Sequence, residues 1–194
     1  MLRLIEPVGG APLCRLKIKL KWSKPPIWRR IVVRSSIRLD RLHDVIQSVM
    51  PWTDSHLHQY LAGQAIYGMK DMIDQVGLYE TFDEKKHTLA DIAPQAKSKF
   101  IYEYDFGDGW EHEIVVEKIL PPDTSFKHPV CLAGALACPP DDCGGMAGYY
   151  HLLHALANRK HPDHVHLKEW IGGKWDPDHF DLDATNQYLK QLKA

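Results

Sequence analysis

Tyr102-Glu-Tyr-Asp-Phe-Gly-Asp-Gly-Trp-Glu-His-Glu-Ile114 reads as one β-hairpin. Phe100, Tyr102, Tyr104 and Phe106 alternate along its first strand, Trp110, His112, Ile114 and Val116 along its second, and Gly107-Asp108-Gly109 supplies the turn. A period of two with large apolar groups at every other position means a sheet with one buried face. The outward positions of the second strand carry acids, Glu111, Glu113 and Glu117. Toward the amino terminus the same period recurs. Cys14, Leu16, Ile18, Leu20 and Trp22 face one way, and Arg15, Lys17, Lys19 and Lys21 the other. Pro25-Pro26 breaks this strand, and Ile27 to Val33 predicts a second strand antiparallel to it.

Between the basic strands and the hairpin, Leu39, Leu42, Val45, Ile46, Val49 and Met50 recur at helical spacing, which predicts a helix over 40–50 stopped by Pro51. Two short strands are expected over 56–62 and 65–68, a polar surface connection over 69–87, and a helical turn at 89–92. After the hairpin, 121–147 is rich in Pro, Gly and Cys and reads as a loop. Helices follow around Tyr149 to Ala157, Val165 to Ile171 and Leu182 to Leu192. Strands come first and helices last, so the expectation is α+β: a single domain over 1–194 with a helical cluster at its carboxyl-terminal end. Its antiparallel sheet would have about five or six strands, covered by helices.

The chain has 194 residues, 44% hydrophobic and 25% charged, as in an ordinary soluble protein. No apolar run approaches the roughly 18 residues that span a bilayer, and the amino terminus lacks the layout of a signal peptide. A cytoplasmic protein without a membrane partner is expected. In a reducing compartment the four cysteines are buried thiols or metal ligands rather than disulfides. Charge is unevenly distributed: residues 1–41 hold eleven Lys or Arg against two acids, a balance of +9, and the remainder carries −10. A clustered positive surface gains free energy by releasing counterions from phosphates, which points to nucleic acid.

Five motifs carry a resemblance. Lys24-Pro-Pro-Ile-Trp-Arg-Arg30, Leu42-His-Asp-Val-Ile46, Asp54-Ser-His-Leu-His58, Tyr102 to His112 and Cys138-Pro-Pro-Asp-Asp-Cys-Gly-Gly145 stand in the order found in the plasmid pRiA4b ORF-3-like family, which the chain resembles from about Leu13 to Leu192. The resemblance implies a small α+β protein of plasmids and chromosomes, related to insertion-element passenger proteins. It brings no catalytic residue with it.

Three constellations carry chemistry. Cys131, Cys138 and Cys143 lie within thirteen residues and are candidate zinc ligands, with His112, His58 or Asp142 to complete a shell; packed thiols in a Pro/Gly loop are the structural alternative. Asp105, Asp108 and His112, with Asp141 and Asp142, are candidates for acid/base work, although Asp and Gly are also what a hairpin turn requires. His56 and His58, on one strand face, form a candidate two-imidazole site. The basic strands offer Arg15, Lys17, Lys19, Lys21, Trp28, Arg29 and Arg30 to nucleic acid, continued by Arg34, Arg38 and Arg41. If the basic strand neighbours Glu111, Glu113 and Glu117, the same residues form cross-strand pairs instead. Walker, dinucleotide-binding, nucleophile-elbow and zinc-protease signatures are absent. The leading expectation is a non-enzymatic binding or accessory module linked to mobile DNA, contacting nucleic acid or a protein that handles it. The alternatives are a metal-dependent phosphoester hydrolase, built on Asp105, Asp108, His112 and the cysteine loop, and a protein-binding module anchored by Trp22, Trp28 and Trp52.

Overall fold

The computed structural model describes residues 10–69, 80–172 and 175–192. Its strands are β1 (Leu13–Leu20), β2 (Trp28–Arg34), β3 (His58–Ala62), β4 (Ala65–Gly68), β5 (Glu80–Asp83), β6 (Lys99–Tyr104), β7 (Trp110–Leu120) and β8 (Val130–Ala135). The helices are α1 (Leu39–Val49), α2 (Leu89–Ile92), α3 (Gly145–Ala157), α4 (His164–Trp170) and α5 (Leu182–Leu189). All eight strands form one sheet in the order β5-β4-β3-β6-β7-β1-β2-β8, antiparallel except for the parallel β4/β5 pair.

The α+β class stands, but the sheet is larger than expected and mixed rather than purely antiparallel. Two strands escaped the sequence reading. β8 (Val-Cys-Leu-Ala-Gly-Ala) lies in the stretch read as a loop and pairs with β2. Its small residues have little intrinsic strand preference, so partner pairing decides it. β5 falls in the polar stretch read as a surface connection, with a 3-10 turn, Glu84–Lys86, behind it. Positions 70–79 of that connection lie outside the described residues.

β7 and β1 form the middle of the sheet, and their alternation sorts the molecule. Trp110, His112, Ile114 and Val116 are buried with Cys14, Leu16, Ile18 and Leu20 on the face covered by α1, whose Leu39, Leu42, Val45, Ile46 and Val49 complete the core. On the opposite face Lys21 meets Glu111 at 2.6 Å, while Glu117 takes Arg15 at 3.0 Å and Arg30 at 2.7 Å. The basic strand therefore faces an acidic one. Each such cross-strand pair contributes about 0.2–1 kcal/mol and uses charge that a polyanion would need. α5 packs on β8 and α1, and α3 on α4. No helix among the described residues is long and apolar enough to cross a membrane.

Two residues depart from simple alternation. Trp22, expected inside, follows the end of β1 with a positive φ of 61°, is 57% exposed, and lies under the Lys21 ammonium at 4.3 Å. Arg29, expected on the basic surface, is 1% exposed. Its Nε donates to the Val49 carbonyl at 2.8 Å, and its terminal nitrogens donate to the carbonyls of Trp28, Ala135 and Leu136. The guanidinium thus links the end of α1 to the end of β8, and four charge-assisted bonds offset the cost of burying it.

His112 is fully buried, and burial pushes its pKa from 6.5 down to about 4. The unfolded chain therefore binds this proton more readily. Stability is full above the unfolded value and declines as the pH falls from 6.5 toward 4, by up to about 3 kcal/mol from this residue. Urea unfolding at a series of pH values between 7 and 4.5 is expected to show that decline, and His112→Phe is expected to flatten it.

Candidate functional site

Three segments converge beside the tip of the β6–β7 hairpin. The first follows α1, where Pro51 ends the helix. Trp52 is buried there, stacked on Tyr104 with centroids 5.0 Å apart, and its indole N–H donates to the Pro139 carbonyl at 2.9 Å. The neighbouring Thr53 donates its backbone N–H (3.0 Å) and hydroxyl (2.7 Å) to Asp141. The second segment is the hairpin tip. Asp105, at φ 55°, donates its N–H to the Leu57 carbonyl at 2.9 Å, and its Oδ1 accepts from the backbone of Gly107 and Asp108. The third is the Cys-Pro-Pro-Asp-Asp-Cys loop, anchored by a bond from Gly144 N–H to Asp108 at 3.1 Å. A Cβ on Gly145, whose φ is 64°, would lie 2.5 Å from the Asp108 carbonyl oxygen, so only glycine lets loop and tip approach so closely.

This convergence places His56, Asp105 and Asp142 with their ligand atoms within 4.8 Å of one another. His56 Nε2 lies 3.2 Å from Asp142 Oδ1 and 3.7 Å from Asp105 Oδ2. Yet among the described residues that buried nitrogen has no hydrogen-bond partner, because neither oxygen sits where the ring N–H would point. The three side chains are thus close together without a hydrogen bond from the imidazole to either carboxylate. One imidazole and two carboxylates suit zinc or manganese, and three protein ligands leave coordination positions open. Asp105 is 8% exposed and its free oxygen is held in place by the bonds to Oδ1; Asp142, at φ 58°, stands at the solvent side.

His56 also lines a cleft of about 870 Å³. In its wall the rings of His43 and His58 stack at 3.5 Å, only 10° from parallel. His58 Nε2 pairs with the buried Glu84 at 2.8 Å, and His43 Nε2 with Asp54 at 2.7 Å. Burial first, and His58 second, lower the His43 pKa. A neutral His43 donates from Nε2 to Asp54 and accepts at Nδ1 from the Tyr102 hydroxyl, 2.7 Å away, which in turn accepts from Gln47. Arg38, Arg41 and Lys85 line the same cleft together with Asp40, Asp44, Asp54 and Glu84, and Asp40 and Asp44 pair with Arg38 and Arg41.

The residues singled out from the sequence separate here. Asp105 and Asp142 enter the cluster, whereas Asp108 and Asp141 serve as anchors between segments. His112 is in the core, its Nδ1 3.3 Å from the Tyr102 carbonyl, and does not join Asp105 and Asp108 in one constellation. Among the described residues none of Cys131, Cys138 or Cys143 joins a group of three ligand atoms. Their sulfurs rest against the Ala133 carbonyl, Met50 and the Gly145 carbonyl, and burial pushes the Cys143 thiol up to about 12. His56 and His58 do not share a strand face: β3 begins at His58, and the two rings have different carboxylate partners. Of the basic set, Arg15, Lys21 and Arg30 are paired, Arg29 is buried, Lys17 lies over Trp28 at 5.2 Å, and Lys19 remains exposed. Trp52, considered as a docking anchor, is a core residue.

His43, Asp54 and Glu84 were missed. A polar His43 beside Leu42 on the apolar face of α1 was a legible signal. Glu84 had none, since nothing in 69–87 is periodic. A second group, His151, His161 and Asp163, joins α3 to α4, but His161 Nδ1 already accepts the Asp163 N–H at 3.2 Å.

Fold and site thus define a small α+β protein with a histidine and carboxylate cleft on one side of a mixed sheet. The chain belongs to the plasmid pRiA4b ORF-3-like protein family, whose model matches residues 12–184. It is 37% identical over 182 residues to an uncharacterized protein of Sinorhizobium fredii, covering 94% of this chain and 89% of that one. A crystal structure of a protein of unknown function from Methanosarcina mazei superposes with a TM-score of 0.80 at 33% identity, covering 89% of this chain and 97% of the other.

Gly145→Ala is expected to separate the loop from the hairpin tip and to cost about 1–3 kcal/mol, read as a lowered urea midpoint. Gly63→Ala, also at a positive φ but with nothing within 4 Å, is the comparison that isolates the close approach from backbone strain.

Proposed function

We propose that this protein binds a divalent cation through His56, Asp105 and Asp142 and hydrolyses a phosphoester in the adjoining cleft. The observation that carries the reading is the buried His56 Nε2, which two carboxylates approach without offering it a hydrogen bond. A cation there supplies Lewis acidity to a phosphoryl oxygen and to water. Hydrolysis joins the oxygen of water to phosphorus and breaks the P–O bond to the leaving group, which departs with a proton. His58 and Glu84, 2.8 Å apart, line the wall of the same cleft. Of the cations in the lining, Arg38 and Arg41 are held by Asp40 and Asp44, which leaves Lys85 to meet the negative charge of the substrate. A nucleic-acid partner enters this reading as a source of phosphoester. It is not read from the outer face of β1, where Glu111 and Glu117 already hold Lys21, Arg15 and Arg30.

Zinc or manganese at about a hundred times its Kd is expected to stabilise the fold by about 2.7 kcal/mol, or roughly 5–10 °C in Tm for a chain of this size. His56→Ala and Asp142→Asn are expected to abolish that shift, the calorimetric binding signal and the hydrolysis of bis(p-nitrophenyl) phosphate, while Cys138→Ser leaves all three. Cation binding that persists in both site variants would refute the assignment.

A further inference from the structure

A second cleft, of about 400 Å³, adjoins the first, and Arg38 and Arg41 line both. The remaining walls come from Arg34 at the end of β2, Ser36 and Ile37 in the turn before α1, and Phe126 and Pro129 in the loop before β8. Among the described residues its lining contains three guanidinium groups and no carboxylate. Arg38 and Arg41 are partly compensated by Asp40 and Asp44. Arg34 has no carboxylate within ion-pair distance among the described residues. It donates to the Phe126 carbonyl, and its guanidinium carbon lies 5.5 Å from the centre of the Phe126 ring. Asp123, the acid of the same loop, accepts from Ser125, and Arg34 and Lys127 act on it only as more distant charges.

A guanidinium without a close ion pair, beside a half-buried aromatic ring, is an amphiphilic arrangement. The cationic side takes a phosphate, since guanidinium groups match phosphate oxygens in pairs. The other side, Ile37, Phe126 and Pro129, has nothing to offer an anion but suits a flat apolar ring, which stacks on an aromatic face. The volume is that of a small-molecule site and far exceeds what inorganic phosphate fills. The geometry points to a nucleotide subsite: Arg34, Arg38 and Arg41 hold a phosphate and Phe126 stacks the base of a nucleoside phosphate, presented free or as part of a single strand. This rests on the reading of the neighbouring cleft as a phosphoester site and names its substrate class. Because Arg38 and Arg41 belong to both clefts, a phosphate on this ridge borders the cleft that holds His56.

The test measures binding without catalysis. Thymidine 5′-monophosphate, inorganic phosphate and a ten-nucleotide thymidine strand are titrated calorimetrically into the full chain in excess chelator, so the result does not depend on a cation at His56. The nucleotide is expected to bind at least ten-fold more tightly than phosphate. Arg34→Gln, which retains a donor for the Phe126 carbonyl, is expected to weaken nucleotide and phosphate alike. Phe126→Leu is expected to weaken the nucleotide about ten-fold and to leave phosphate unchanged. Tighter binding of the strand than of the mononucleotide identifies a polynucleotide as the source, and the reverse identifies a free nucleotide; either supports the subsite. Equal affinity for phosphate and nucleotide, no binding of either, or indifference to both substitutions in proteins with unaltered circular dichroism overturns it. Failure here with a functional cation site refutes the subsite alone.

Discussion

Everything in this protein is arranged around the antiparallel pairing of β7 with β1, eight residues of β1 against the longest strand of the sheet. Both strands alternate apolar and charged residues, and one register holds from Leu16 to Leu20 before a bulge at Arg15/Leu16 shifts it by a residue. In that register Ile18 faces Ile114 and Leu20 faces His112 beneath α1, while outside it Lys21 reaches Glu111 and Arg15 reaches Glu117. A slip by one residue would expose the core and bury the charges, so the pairing carries its own proofreading. It also directs the net positive charge of the amino-terminal region into the sheet. Part of the asymmetry of charge along the chain is thus met between two neighbouring strands.

The inner face then acquires its cover. α1 packs on this face, and Arg29 fastens its end by donating to the Val49 carbonyl and to those of Ala135 and Leu136 at the end of β8. Where α1 stops, Trp52 to His56 must turn back into β3. That turn is fixed from two sides, by Asp141 on one and by the tip of the hairpin on the other. The left-handed φ values of Asp54, Asp105 and Asp142 lie in this region. Non-glycine residues hold such conformations only where surrounding bonds over-determine them, and the result is a rigid frame about His56. Rigidity is what a cation site needs, because donors that relax would pair with one another.

The cleft wall shows the same economy of charge. Two parallel imidazoles stack at van der Waals distance, and each has a carboxylate at its edge. Through Tyr102 and Gln47 the pair is connected to the core side of α1, so the polar lining of the cleft continues the hydrogen bonding of the interior.

By itself the sequence determined the elements whose side chains alternate or recur strongly: the hairpin, the basic strand, α1 and the short turn at Leu89 to Ile92. These depend on local periodicity, which is written in consecutive residues. It also marked the hairpin tip and the Cys-Pro-Pro-Asp-Asp-Cys loop as chemically unusual, and the tertiary structure brings both to His56. The sequence could not show which of the clustered acids and thiols would meet. Asp105 and Asp142 are 37 positions apart, and His56 is farther still, so their meeting depends on how the sheet is ordered rather than on spacing. Nor could it reveal β8, whose small residues become a strand only because β2 offers a free edge, or Glu84, whose burial is compensated only by a histidine 26 positions away. Tertiary structure decided those features, since burial and long-range pairing set the free energy of a charge or a weak strand far more than its neighbours in the chain do.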